Sequence, residues 1–177
     1  MSESMVAYRY AKALIDLAIE QGVVNEVNTD MSFFEKVCDE NSEFRAVMAN
    51  PIVRHDNKLK ILKKVFENRV NNVTFGIFKV LTKKNREKLL YPIAEEFQKL
   101  YNQMNEIQIV QLASAVELTD AQKANFTKVV GDALNKKVDL RNTVDESLIG
   151  GYLLRVGDTQ VDTSVKKRLN ELKLALS

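Results

Sequence analysis

Residues 144–165, VDESLIGGYLLRVGDTQVDTSV, read as strand, turn, strand and helix cap in one compact run. Its glycines each have a backbone reason. Gly150 and Gly151 let an extended segment bend or approach another backbone closely, and the pair Gly157 and Asp158 suits a tight hairpin turn between strands at 150–156 and 159–162. Asp162, Thr163 and Ser164 offer side-chain oxygens to the free N–H groups that open a last helix. That helix sets Val165, Leu169, Leu172 and Leu176 on one stripe, with Lys166, Lys167, Arg168 and Lys173 around it. Nothing in the run is a catalytic pattern.

Upstream, Val138, Leu140, Asn142 and Val144 alternate with Asp139, Arg141 and Thr143, the period of a strand. Thr119 with Gln122 forms a capping box before a helix through Phe126, Val129, Val130, Ala133 and Leu134, and EIQIVQLA at 106–113 reads as a further strand. Near Asn105 the period changes, and residues 1–105 read as helix after helix, with apolar positions three and four residues apart. The first helix carries Val6, Tyr10, Ala13, Leu14 and Leu17 on its apolar face, with Ala7, Ala11 and Ala18 thinning its flanks, and Gly22 ends it. A second runs through Val27, Met31, Phe34 and Cys38; a short third, capped by Ser42, presents Phe44, Val47 and Met48 and stops at Asn50 and Pro51. The fourth buries Leu59, Leu62, Val65 and Phe66. The fifth, after Asn71 and Asn72, has a wide stripe of Phe75, Ile77, Phe78, Val80 and Leu81. The sixth offers Ile93, Phe97, Leu100, Tyr101 and Met104, with Pro92 in its first turn or at a kink. The expected fold class is α+β: an N-terminal six-helix bundle over 1–105 followed by a small C-terminal α/β domain over 106–177.

Composition narrows function by exclusion. Lys plus Arg total 26 against 24 for Asp plus Glu, so no net field favours nucleic acid or an anionic membrane. The longest nearly uncharged apolar stretch, 147–154, falls far short of the ~20 residues that span a bilayer, so membrane association is expected to be indirect. The start MSESMVAYRY has neither a secretory apolar core nor the character of a transit peptide, which predicts a cytoplasmic, bacterial protein. Cys38 is the only cysteine and reads as a small buried hydrophobe; His55 is the only histidine, beside Asp56 at an exposed helix start. Asp145, Asp158 and Asp162 fall at turns and caps, where Asp serves local hydrogen bonding. No glycine opens a phosphate-binding loop, and no cofactor is expected. The basic run Arg54, Lys58, Lys60, Lys63, Lys64 and Arg69, and the cluster Lys83, Lys84, Arg86 and Lys88, are expected to be solvated helix faces. A helical RNA-binding regulator is the alternative they leave open. A groove for a guest helix is best sought where small residues and surplus apolar width coincide, on the first and fifth helices, since Ile77 and Val80 lie off the Phe75 and Phe78 line.

The 144–165 run closely resembles the C-terminal signature of the delta subunit family of F-type ATP synthases, whose mitochondrial relative is the oligomycin sensitivity conferring protein. Other segments follow in the same order: Tyr10, Ala11, Ala13, Leu14, Leu17 and Ala18; Asn50, Pro51, Val53, Lys58, Ile61 and Leu62; Phe78, Leu81, Arg86, Leu90, Ile93 and Phe97. One departure is Thr163, which stands where the family often has glycine. The resemblance implies a non-catalytic stator subunit, in single copy in a hetero-oligomer. It would join the catalytic head to the b subunits of the peripheral stalk at the cytoplasmic face of a bacterial inner membrane. It implies that the bundle grips the N-terminal helix of an alpha subunit between its first and fifth helices, by position at Tyr10, Ala13, Leu14, Gly76, Ile77 and Val80. Leu169, Leu172 and Leu176 are the stalk-side expectation, and Gly150, Gly151, Gly157 and Asp162 are structural.

Overall fold

The computed structural model describes residues 3–175, and the chain divides into two compact units, Met1–Asn102 and Gln103–Ser177. In the first unit, the helices are α1 (Glu3–Glu20), α2 (Val24–Glu40), α3 (Ser42–Ala49), α4 (His55–Phe66), α5 (Asn72–Lys83) and α6 (Leu90–Met104), which a 3-10 turn at Glu87–Leu89 precedes. Their apolar stripes converge on Met31, Phe34, Leu62, Phe66, Phe78, Leu81, Ile93 and Phe97, all sealed from solvent. Phe34 lies at the centre, with ring centroids 5.0 Å from Phe78 and 5.4 Å from Phe66. Each such ring contributes roughly 1.5–3 kcal/mol by leaving water.

The stops are local. Gly22, at φ +70°, closes α1 in a Schellman arrangement, with Val23 N–H donating to Ala18 O and Gly22 N–H to Ile19 O. Pro92 sits in the first turn of α6, where its missing N–H costs nothing. Ser42 does not cap α3: it is the first helical residue, Asn41 precedes it, and the Asn41 side chain turns back to Val37 O at 3.1 Å.

Two corrections change the interior. The apolar face of α1 is rotated from its expected position. Ala7, Ala11, Leu14, Ile15 and Ala18 face the core, whereas Tyr10, Ala13 and Leu17 lie at or beyond its edge. Alanines on the inner face let neighbouring helices approach closely, and the bulkier residues are displaced outward. Lys58 is not part of a solvated run. It is buried, its ammonium donates to Met48 O at 2.9 Å at the end of α3, and Glu87 lies 3.6 Å away. A further buried charge, Asp30, accepts from Asn71 N–H and from Thr74 Oγ1, both at 2.7 Å. With Asn71 Oδ1 accepting from Val73 N–H at 3.0 Å, the start of α5 is tied to α2.

The second unit is a four-stranded sheet of order β2-β1-β3-β4. Its strands are β1 (Ile107–Ser114), β2 (Lys137–Val144), β3 (Tyr152–Val156) and β4 (Thr159–Asp162); helix α7 (Asp120–Leu134) links the parallel pair β1 and β2, and α8 (Val165–Ala175) follows β4. Strand β3 runs antiparallel to both β1 and β4, with Val110 opposite Val156 and Val156 opposite Thr159. The core is small: Val110, Leu112, Val130 and Leu148 are buried, and Phe126 of α7 meets Tyr152 edge-on with centroids 5.0 Å apart. The Thr119 and Gln122 capping box opens α7.

The run 144–165 folds around backbone contacts. Gly151 has φ +78°, and a Cβ there would stand 2.5 Å from Thr163 O; one on Gly150 would stand 3.1 Å from Val165 Cγ2. Gly157, at φ +56°, occupies the first position of the hairpin turn with open space around it. Asp162 accepts from Ser164 N–H at 2.9 Å, and it is Ser164 Oγ that caps α8, accepting from Lys167 N–H at 3.2 Å. Thr163 is not a cap. Its N–H and hydroxyl both donate to Tyr152 O, and its φ is not in the left-handed region, so the expected glycine is not needed.

Candidate partner-helix groove

Helices α1 and α5 leave an open groove of about 480 Å3 on the first unit, lined by Tyr10, Ala13, Leu14, Leu17, Gln21, Asn72, Val73, Gly76, Ile77 and Val80. The six positions named for the first unit, Tyr10, Ala13, Leu14, Gly76, Ile77 and Val80, lie together along it. Sequence reading missed Gln21, Asn72 and Val73, and placed Leu17 on the inner face of the first helix rather than in the groove. Their signal was periodic: Gln21 is four residues past Leu17, and Asn72 and Val73 are four before Gly76 and Ile77.

The groove exists because each wall turns two faces to different neighbours. Helix α1 commits its alanine stripe and Leu14 to the core and leaves Ala13 and Leu17 outside. Helix α5 commits Phe75, Phe78 and Leu81, while Ile77 is half-buried and Val80 is 45% exposed. Gly76 faces open space, since a Cβ there would meet nothing within 4 Å. A glycine inside a helix costs about 0.5–1 kcal/mol relative to alanine, and no contact among the described residues calls for it. Ala13 and Gly76 thus thin both walls without filling anything inside. Polar groups close the ends: the Tyr10 hydroxyl accepts from Arg86 Nη1 at 3.2 Å, and Gln21 and Asn72 stand at the opposite end. The shape suits an amphipathic helix laid lengthwise.

In the second unit, α8 shows a different kind of surface. None of its described residues is buried, and Leu169 and Leu172 are 51% and 59% exposed, beside Leu174. Leu176 lies outside the described residues. Lys166, Lys167 and Arg168 flank this face. The structural positions Gly150, Gly151, Gly157 and Asp162 shape the hairpin and the approach to α8, as described above.

Chemistry elsewhere is sparse. Burial pushes the Cys38 thiol up to about 12, far from a reactive thiolate. Asp145 and Asp162 are held below the usual carboxylate range by hydrogen bonds from Ser147 and Ser164, which are turn contacts. Asp145, Asp158 and Asp162 form no metal-holding group, and none is found among the described residues. The basic run of α4 is interrupted by the burial of Lys58, and Lys63 stands 4.0 Å from Glu67. No helix among the described residues is long and apolar enough to cross a membrane.

Comparison with known proteins agrees with this architecture. The profile of the family described as ATP synthase delta (OSCP) subunit matches residues 6–176. The ATP synthase subunit delta of Cytophaga hutchinsonii is 43% identical over 173 residues, covering 98% of this chain and 94% of its own. That of Flavobacterium psychrophilum is 37% identical, covering 100% of this chain and 99% of its own. Among solved structures, a chain of the Toxoplasma gondii mitochondrial ATP synthase hexamer superposes with a TM-score of 0.73 at 22% identity, over 96% of both chains, a likeness of fold. With a family match spanning nearly its whole length and relatives well above 30% identity, the chain belongs to the ATP synthase delta (OSCP) subunit family.

Proposed function

We propose that the chain is a static clamp of the ATP synthase stator, in which the first unit, read as a six-helix bundle, holds the N-terminal helix of an alpha subunit in the α1–α5 groove. The second unit holds the b subunits of the peripheral stalk, with Leu169, Leu172 and Leu176 of α8 as the contact face. Family membership makes it a peripheral-stalk component with a structural rather than a catalytic role. It would sit in single copy at the cytoplasmic face of a bacterial inner membrane, held there through the complex.

The observation that carries this reading is the groove itself, with Ala13 and Gly76 thinning walls that need no thinning for internal packing. Rotation of a central shaft drives chemistry in the head only if the head cannot turn with it. A clamp of this kind works through a slow off-rate and stiffness, and it needs no reactive group. The test is reassembly of the ATP synthase without this chain. The head should keep ATP hydrolysis while proton pumping is lost, and adding the chain back should restore pumping. Full coupling in its absence would refute the reading.

A further inference from the structure

The two ends of the α1–α5 groove carry different charges, with Lys79 of α5 between them, its ammonium 4.6 Å from the centre of the Phe75 ring. At the Tyr10 end, Lys84 continues the Ile77–Val80 stripe of α5 by one turn, Lys83 continues the rim on which Gly76 lies, and Arg86 holds the Tyr10 hydroxyl. Arg9 lies one turn before Ala13 on α1. Lys88 belongs to the same end but is matched by Glu3. At the Gln21 end the sign reverses: Asp16 and Glu20 follow Ala13 on the outer rim of α1, and Asn71 beside Asn72 is hydrogen-bonded to Glu26 at 2.6 Å. Lys83, Lys84, Asp16 and Glu20 are exposed and have no ion-pair partner among the described residues. The groove floor between the two ends is apolar.

We infer that this groove is electrically polarised and selects a partner amphipathic helix whose acidic residues are gathered at the end that meets Lys83, Lys84 and Arg86, and are absent from the end that meets Asp16 and Glu20. The apolar stripe supplies most of the affinity and sets which way the guest lies, and the rim charges select among guests by charge order and speed their encounter. A guest with the opposite charge order places its carboxylates beside Asp16 and Glu20 and is disfavoured. This inference rests on the helix-docking reading of the groove.

The test titrates the full-length chain at low ionic strength with a pair of helical peptides. Both carry the apolar stripe of the alpha subunit's N-terminal helix and the same composition, one with glutamates at the first end and lysines at the second, the other with that order exchanged. The wild-type chain should prefer one order by about tenfold, the gap should close as salt rises, and Lys83→Glu with Lys84→Glu should invert the preference. Both lysines are exposed, and circular dichroism of the double variant checks that it is folded. Equal affinity for the two orders, or a preference that the double variant leaves unchanged, overturns the polarity while leaving the docking reading intact. A folded chain that binds neither peptide overturns both.

Discussion

Lys58 of α4 and Glu87 of the 3-10 turn before α6 lie 3.6 Å apart, with only 5% of either side chain exposed. The ammonium also donates to Met48 O at 2.9 Å, so one side chain ties the end of α3, the start of α4 and the approach to α6. Among the described residues no group donates to Glu87 Oε1, which leaves the carboxylate dependent on Lys58. Lys58→Ala should cost about 3–5 kcal/mol, because it strands a buried charge. Lys58→Met combined with Glu87→Leu should recover most of that loss. Urea denaturation of the single and double variants measures both, and a double variant no better than the single one would contradict the assignment.

Gly76 offers a prediction of opposite signs. Because a Cβ at this position would meet nothing within 4 Å, Gly76→Ala should stabilise the folded chain by about 0.5–1 kcal/mol. Gly76→Leu should leave the fold intact yet weaken binding of a guest helix by on the order of 1 kcal/mol or more, since the side chain enters the groove. Thermal unfolding and peptide titration on the same samples separate the two effects.

The period of every helix was legible in the sequence, but the rotational phase of α1 was not. Alanine contributes little to an apolar pattern, so Tyr10, Ala13 and Leu17 read as the inner face. Close helix packing instead buries Ala7, Ala11 and Ala18. That same displacement puts Tyr10 and Ala13, read as inner-face residues of α1, on the groove wall, beside Leu14 and the α5 positions Gly76, Ile77 and Val80. The burial of Lys58 had a signal: it precedes Leu62 and Phe66 by one and two turns on the same stripe. Charge alone argued for solvent, and the partner that reverses this, Glu87, is distant in sequence. The α8 stripe was legible as a stripe, but only the structure shows that the second unit does not cover it.

Gly151 and Gly157 both adopt positive φ, and the structure separates their reasons. At Gly151 a side chain would collide with Thr163 O at 2.5 Å, whereas Gly157 has open space. Gly151→Asp should cost the second unit about 3 kcal/mol or more, and Gly157→Ala only the conformational cost of about 1–2 kcal/mol. Equal losses in chemical denaturation would show that the close approach at Gly151 is unimportant.

Cys38 should resist thiol reagents in the native chain at pH 8, because burial pushes its pKa from 9.0 up to about 12. The sign follows from desolvation of the thiolate. Its contribution to stability is complete below pH 9.0 and is lost as pH rises toward about 12. Labelling with a maleimide should therefore proceed at the rate of unfolding and accelerate in urea; rapid native labelling would place the thiol at the surface.

The most direct test of the clamp is calorimetric titration of the full-length chain with a peptide of the alpha subunit's N-terminal helix from the same organism, alongside Ala13→Asp. Ala13 is exposed on the groove wall, so the variant should fold normally. The account predicts tight one-to-one binding that survives moderate salt and is lowered by several kcal/mol, of order 2–4, when the aspartate is forced against an apolar guest. Absence of binding by the folded wild-type chain, or undiminished binding by the variant, would contradict it.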